Sequence, residues 1–355
     1  MTGKQNIMSD HRINRRLFTA GTALAAASLG LPALAADPKP EKGKVAIAVG
    51  GKASFYYLPL TIAEQLGYFK AEGLEVEISD FAGGARALQA VVGGSADVVS
   101  GAYEHTINLQ NKGQMFQAFV LQGRAPQIAL GISNKTLPHY KTVADLKGKK
   151  IGVTAPGSST NMMANLVLSR AGLKAADVSF IGVGTSAGAL TALRSGQIDA
   201  MCNIDPVMTM LEQKGDVRVV FDTRTLKGTR EVFGGPMPAG CLYAPLEYVQ
   251  KNPATAQALT NAMVHALKWL QTAGPSDIIK TVPESYLLGD RGLYLASFDK
   301  VREALAIDGM FPEEGGKTAL RALASFDSTL KAERIDLGKT WTNQFAARAK
   351  TRFKA

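Results

Sequence analysis

The chain contains the same pattern twice. Residues 87–98 and 189–200 carry Ala, Leu, Ala, Gly and Asp in step, and the second copy begins 102 residues after the first, at 189 against 87. Each copy reads as a small-residue loop, a short helix that ends at a glycine, and a strand, and a further strand precedes it. This order is typical of a βαβ crossover. The sequence therefore predicts an α/β fold of two similar lobes that face each other across a cleft.

The first 36 residues predict an export signal. Residues 14–18 contain a twin-arginine pattern, Arg15-Arg16, and an uncharged, alanine-rich run follows up to Leu34. The run is short and weakly hydrophobic, which is typical of a cleaved signal rather than a membrane anchor. We expect cleavage near Ala35-Ala36 and a protein released into the periplasm. An anchoring N-terminus and export by the ordinary secretory route are the alternatives.

The charge, the cysteines and the histidines argue against several classes of protein. The formal net charge is +10, but the basic residues are scattered and no aromatic stripe accompanies them, which argues against nucleic-acid binding. The only cysteines, Cys202 and Cys241, lie in apolar runs and are expected to be buried free thiols. The four histidines are scattered and no catalytic motif is present. We expect no metal, no cofactor and no enzymatic activity, and a monomer.

Several segments resemble a known family. Residues 63–77 read AEQLGYFKAEGLEVE, and Gly83-Gly84, residues 94–98 and residues 145–153 continue the likeness. Together they are similar to the periplasmic binding proteins for nitrate, taurine and aliphatic sulfonates, a group that also includes binders of thiamine pyrimidine precursors. The resemblance implies a type II periplasmic binding fold, with two α/β lobes joined by two crossover segments. It also implies a receptor that delivers a small anionic solute to the membrane permease of an ABC importer.

This fold divides the chain into four predicted segments. After the signal peptide, residues 1–36, residues 37–133 form the first part of lobe 1 and residues 134–230 form lobe 2. Residues 231–355 return to lobe 1 and end in helices, whose apolar residues are interpreted as packing residues.

The predicted ligand-binding residues follow strands or begin helices. In parallel α/β sheets ligands bind beyond the carboxyl ends of the strands, and a helix N-terminus offers unpaired N–H groups to an anion. The loops chosen on this basis contain Ser54, Phe55, Tyr56, Gly83, Gly84, Ala85, Tyr103, His105, Gly157, Ser158, Ser159, Thr160 and Thr185. Residues 157–160 are the strongest candidate, because hydroxyl groups there join the backbone donors. Ordinary helix caps, glycine turns and core aromatics are the competing interpretations.

Three further residues carry alternatives. Arg124 follows a predicted strand and is the candidate for a bidentate contact with a sulfonate or carboxylate, against an ordinary surface ion pair. Asp205 precedes Pro206 and is either a helix cap or a contact for a ligand with an ammonium or ring N–H group. His105 is either a donor to an anion or a solvent-facing residue beside a capping Glu104.

The ligand and the partner are left open by the residues alone. Sulfonate, taurine, nitrate, an aromatic acid and a pyrimidine all remain candidates. The alternatives to an importer receptor are an exported enzyme of thiamine-pyrimidine type on the same scaffold and a sensor subunit that reports to a membrane kinase. A related eukaryotic branch of enzymes carries a cysteine-rich motif, which this sequence lacks.

Overall fold

The computed structural model describes residues 38–355, so the predicted signal peptide lies outside the described residues. Ten strands are found there: β1 Lys44–Val49, β2 Glu75–Asp80, β3 Val98–Ala102, β4 Phe116–Leu121, β5 Ile128–Ser133, β6 Lys150–Val153, β7 Ser179–Gly182, β8 Ala200–Ile204, β9 Val217–Asp222 and β10 Gly240–Pro245. The helices of the same range are α1 Leu58–Gln65, α2 Tyr68–Ala71, α3 Gly84–Val92, α4 Glu104–Asn111, α5 Ser159–Arg170, α6 Ala187–Ser195, α7 Val207–Gln213, α8 Leu226–Phe233, α9 Leu246–Lys251, α10 Pro253–Thr272, α11 Pro275–Thr281, α12 Arg291–Val301, α13 Glu313–Ala324 and α14 Gln344–Phe353.

The strands form two five-stranded sheets of the same design. The first sheet, in lobe 1, has the order β2-β1-β3-β10-β4, and the second, in lobe 2, has the order β7-β6-β8-β5-β9. The first three strands of each sheet are parallel, and the fourth runs antiparallel to both of its neighbours. In each sheet that antiparallel strand, β10 or β5, is the one that arrives from the other lobe. The prediction of two similar α/β lobes is confirmed.

The repeated pattern has a structural reason in both lobes. Gly94 and Gly196, at equivalent positions, follow α3 and α6 with φ angles of 78° and 83°, a conformation that glycine adopts without steric cost. The equivalent aspartates then bond to β1 and β6, which occupy the same position in the two sheets. The carboxylate of Asp97 accepts a hydrogen bond from Ala46 N–H at 2.9 Å, and that of Asp199 accepts one from Lys150 N–H at 3.0 Å.

Two crossover segments connect the lobes. The first runs from β4 to β5, and the second follows α8 and leads into β10. They hydrogen-bond to each other, since Gly123 N–H donates to the carbonyl of Gly240 at 3.0 Å and Ala239 N–H donates to the carbonyl of Gly123 at 2.9 Å. This pairing gives the two lobes a common, narrow junction next to the cleft.

The C-terminal helices contact both lobes. From α12, the rings of Tyr294 and Phe298 pack against Phe55 of lobe 1, with centroids 4.5 and 5.9 Å away. From the same helix, Lys300 forms an ion pair of 2.7 Å with Glu212 on α7 of lobe 2. The expected packing role of these helices therefore extends across the cleft.

The strands next to the crossovers are the most buried part of the sheets. All residues of β3, β5 and β8 are buried, as parallel-type α/β sheets covered by helices on both faces require. Cys202 on β8 and Cys241 on β10 are buried and unbridged. Within residues 38–355, none of the helices combines the length and the apolar character needed to cross a bilayer.

Candidate ligand-binding site

A small cavity lies where α3 of lobe 1 begins opposite the start of α5 in lobe 2. We call it the hydroxyl cavity, and as the side chains stand its free volume is about 10 Å³, room for about one water molecule. It is lined by Gly50, Tyr56, Tyr57, Gly84, Thr154, Ser158, Ser159, Thr160 and Ile204. Five of the predicted ligand-binding residues thus meet here, namely Tyr56, Gly84, Ser158, Ser159 and Thr160.

A hydrogen bond between the lobes crosses this cavity. The hydroxyl of Ser158, before α5, accepts a hydrogen bond from the backbone N–H of Ala85 in α3 at 2.9 Å. The first intrahelical bond of α5 runs from Met162 N–H to the Ser158 carbonyl, so the N–H groups of residues 159–161 lie ahead of it. The starts of two helices with their partial positive charge therefore converge, which is an arrangement that can receive an anion.

Glycines and threonines shape the turn that leads into α5. Gly157 has a φ of 83°, and its N–H donates to the side-chain oxygen of Asn161 at 2.8 Å. The hydroxyl of Thr160 accepts a hydrogen bond from Thr154 N–H at 3.1 Å. These bonds hold the turn in place from inside lobe 2.

His105 supports the opposite wall. Its Nδ1 lies 2.9 Å from the hydroxyl of Tyr243, and its ring would lie 3.4 Å from a Cβ atom added to Gly84. The side chain is 2% exposed, so it does not face solvent. Burial lowers the pKa of His105 to about 4, although its interaction with the backbone of Gly157 acts in the opposite direction. At neutral pH the ring is uncharged.

Several predicted residues lie away from the hydroxyl cavity. The Ser54 hydroxyl donates to the Gly51 carbonyl at 2.7 Å, and the ring of Phe55 belongs to the core next to α12. The hydroxyl of Tyr103 lies 2.7 Å from that of Thr340, and the Arg124 guanidinium donates to the Glu303 carbonyl at 2.9 Å. The structure therefore gives these four side chains partners within the protein.

Two more predicted residues, Thr185 and Asp205, lie outside the hydroxyl cavity. Thr185 packs against Gly51, whose φ is 97°, and lines an open groove between the lobes rather than the hydroxyl cavity. Asp205 accepts a hydrogen bond from Thr209 N–H at 2.7 Å and lies 3.6 Å from the guanidinium of Arg224, which is itself buried. Burial raises the pKa of Asp205, and Arg224 partly opposes this. Asp205 is thus held in an ion pair inside lobe 2.

A second cavity lies beside the first and shares Tyr56 and Ser159 with it. We call it the methionine cavity, and as the side chains stand its free volume is about 20 Å³, room for a water molecule or two. It is lined by Tyr56, Glu104, Pro126, Ile128, Ser159, Met162, Met163, Leu166, Phe233, Met237, Ala239, Ala319, Ala322, Leu323 and Phe326. Lobe 1, lobe 2 and α13 each form part of its wall.

Two polar groups are buried in this mostly apolar cavity. Glu104, the first residue of α4, is 4% exposed, and Tyr56 is 2% exposed. Burial raises the pKa of Glu104 to about 7. Burial, and next the charge of Glu104, raise the pKa of Tyr56 well above its ordinary value, so that its hydroxyl stays protonated. The Tyr56 hydroxyl has no hydrogen-bond partner of normal geometry among the described residues, although Ser159 is near enough to affect its pKa.

The sequence analysis did not identify the methionine cavity. Glu104 stood out only as a possible helix cap, and Met162 and Met163 only as residues within a predicted helix. Glu104 lies two residues after the end of β3, near the cleft. A carboxylate in that position could have been predicted to be a site residue. No sequence signal placed α13 here, because its apolar stripe fits any apolar surface. Among residues 38–355, no group of three or more His, Cys, Asp or Glu side chains could hold a metal ion.

Comparisons with known proteins agree with this architecture. The model of the NMT1-like family matches residues 39–282, which is more than half of the chain. A solved structure from Bordetella bronchiseptica is 63% identical, with a TM-score of 0.89, and covers 90% of this chain and 100% of its own. A protein of Escherichia coli, provisionally named an aliphatic sulfonates-binding protein, is 28% identical over 64% of this chain and 66% of its own.

More distant structures share the fold. The periplasmic nitrate-binding protein NrtA of Synechocystis is 15% identical, with a TM-score of 0.66, over 89% of this chain and 90% of its own. A desulfurization enzyme, DSZB, is 16% identical, with a TM-score of 0.54, over 88% of this chain and 99% of its own, so the fold serves binding proteins and at least one enzyme. The chain therefore belongs to the NMT1-like family and has the fold of the type II periplasmic binding proteins.

Proposed function

We propose that this protein is the periplasmic solute-binding component of an ABC importer, and that it captures a small organic anion between its lobes. The observation that carries the proposal is the convergence of α3 and α5 on the hydroxyl cavity, with the Ser158 hydroxyl and the Ala85 N–H 2.9 Å apart. A sulfonate or carboxylate there would accept hydrogen bonds from hydroxyl and backbone N–H groups of both lobes. Binding both lobes at once favours the closed form over the open one.

The charges near the hydroxyl cavity favour hydrogen bonding over ion pairing. His105 is uncharged at neutral pH, and the guanidiniums of Arg124 and Arg224 are bonded to a carbonyl and to carboxylates elsewhere. Neutral donors at helix starts therefore hold the anion, as at other anion sites of this kind. A relative named for aliphatic sulfonates supports this class of ligand.

The export and transport steps follow from this proposal. The twin-arginine pattern supports export, and removal of residues 1–36 would release the two lobes into the periplasm. A closed, ligand-bound form would then dock on a membrane permease. Mass spectrometry of the protein from a periplasmic fraction tests the first step, because a chain that still begins at Met1 would contradict cleavage.

A thermal-shift screen tests the ligand class. Sulfonates, taurine, nitrate, aromatic carboxylates and pyrimidines are added separately to the purified protein. We expect an organic sulfonate or carboxylate to raise the melting temperature. Ser158→Ala should weaken that ligand about tenfold, because Ala85 N–H loses its partner in the closed form. Ser169→Ala, at the far end of the same helix, is the control, since among the described residues its hydroxyl bonds only the Leu166 carbonyl.

Two further results decide between a receptor and the alternatives. Recovery of the ligand unchanged after prolonged incubation supports a receptor, whereas turnover supports an enzyme on this scaffold. Loss of ligand uptake in cells that lack this chain supports an importer. Normal uptake, together with a lost transcriptional response to the ligand, would instead support the sensor alternative. Unaltered binding by Ser158→Ala would remove the start of α5 from the site.

A further inference from the structure

Glu104 is a buried acid that no basic side chain among residues 38–355 pairs with. Its side chain lines the methionine cavity, and within residues 38–355 it forms no ion pair; only its own backbone gives it a hydrogen-bonding contact. Most buried carboxylates are paired, because an isolated charge in an apolar environment is costly. The beginning of α4 offers some compensation through the helix dipole. In the described part of the chain, no other side chain donates a hydrogen bond to this carboxyl group.

Tyr56 presents a second unsatisfied group to the same space. Its hydroxyl has no hydrogen-bond partner of normal geometry among the described residues, although the side chain is 2% exposed. Both Tyr56 and Glu104 line the methionine cavity. A protonated phenol donates a hydrogen bond and a carboxylate accepts one. Together they form a polar pair at one end of an apolar chamber.

The other walls suit an apolar group. Met162, Met163 and Met237 line the cavity together with Phe233 and Phe326. Methionine side chains are flexible and polarisable, so they adapt to an inserted ring or alkyl chain and make favourable contacts with aromatic rings. An inorganic anion such as nitrate would gain nothing from these walls, and an anionic group beside Glu104 would be repelled.

We propose that the ligand has two ends: an anionic group held in the hydroxyl cavity, and an apolar body whose nitrogen-borne hydrogen-bond donor is received by the carboxylate of Glu104 in the methionine cavity. This inference rests on the proposed function and narrows its ligand class. The two cavities share Tyr56 and Ser159 and therefore adjoin, and the flexible methionine side chains must move to admit the apolar body of one molecule that extends through both. A ligand N–H group supplies the donor that Glu104 lacks, and the methionines enclose the body that carries it.

A matched pair of compounds tests the nitrogen donor. 4-(Aminomethyl)benzenesulfonate and 4-methylbenzenesulfonate differ only in the amino group. Isothermal titration calorimetry at pH 8 on the protein from full-chain expression should show that the aminated compound binds at least about tenfold more tightly. In Glu104→Gln this preference should disappear, while the methyl compound binds as in the wild type. Glu333→Gln, an exposed glutamate, is the control and should keep the preference.

The outcomes separate this inference from the proposed function. Equal affinity for both compounds, or a preference that survives in Glu104→Gln, overturns the nitrogen-donor proposal. If the methyl compound still binds and depends on Ser158, the proposed function stands without it. If neither compound binds the wild type at millimolar concentration, the inference is overturned, and the thermal-shift screen decides whether the anionic ligand class stands. Near-ultraviolet circular dichroism of each variant shows that its core is intact.

Discussion

At the scale of single residues, the buried carboxyl group of Glu104 makes the stability of the folded protein depend on pH. Burial gives Glu104 a pKa of about 7 in the folded protein, against an ordinary value of 4.5. A folded pKa above the unfolded one means that the native state binds the proton more tightly. Its contribution to stability is therefore fully present below about pH 4.5 and is lost as the pH rises to about 7.

Glu104→Gln should remove this pH dependence. Between pH 4.5 and pH 8 the wild type should lose on the order of 3 kcal/mol of unfolding free energy through this residue, because each unit of pKa difference is worth 1.36 kcal/mol. The neutral glutamine has no charge to bury and should not show this loss. Urea denaturation of both proteins at several pH values measures the difference. Parallel stability profiles would show that Glu104 is not the buried acid described here.

Sequence reasoning found some of these residues and missed others for a physical reason. Sequence reasoning could find Ser158, Ser159 and Gly84 because the start of any helix offers unpaired N–H groups, wherever that helix lies in the fold. Glu104 was passed over because a glutamate in the first turn of a helix is usually an exposed cap. Its burial depends on Met237 and α13, which come from more than a hundred residues later in the chain.

At the scale of elements, the repeat could be predicted and the docking of the C-terminal helices could not. Gly94, Asp97 and their equivalents act on strands and helices within their own unit, so the local sequence contains their structural role. The helix α13 is different. Its residues Ala319, Ala322 and Leu323 form an apolar face that lines the methionine cavity, although the helix belongs to neither sheet. Its location is decided by the tertiary packing around Pro238 and Tyr103, not by its own periodicity.

A substitution on α13 tests whether this helix forms a wall of the ligand site. Ala322→Leu adds three carbon atoms to a buried residue that lines the methionine cavity. It should weaken binding of 4-methylbenzenesulfonate by about tenfold, because overpacking costs 1–3 kcal/mol when the space is needed by another group. Ala324→Leu, exposed on the same helix, should bind normally. Equal affinities of the two variants would place the ligand elsewhere.

At the scale of the whole molecule, the approach of the lobes is limited by backbone contacts. A Cβ atom on Gly83 of lobe 1 would lie 2.9 Å from the Cβ of Ala155 and 3.1 Å from its backbone nitrogen, both in lobe 2. The φ of Gly83 is 173°, which is extended backbone that any residue adopts. The glycine is therefore required by the space between the lobes and not by its own conformation. A sequence shows such a glycine, but not which chain segment faces it.

Gly83→Ala should hold the lobes apart while each lobe still folds. The added methyl group meets backbone atoms that cannot move away as a flexible side chain would, so the closed form becomes less favourable by about 1–3 kcal/mol and the ligand binds about tenfold more weakly. Gly43→Ala is the matched control, because nothing lies within 4 Å of its added Cβ atom. Small-angle X-ray scattering with saturating ligand should give a larger radius of gyration for Gly83→Ala than for the wild type and Gly43→Ala. The contrary result is that Gly83→Ala gives the same radius of gyration and the same affinity as the control. The ligand-bound form would then not need the close approach of Gly83 to Ala155. The arrangement of α3 and α5 described here would not be the one that holds the ligand.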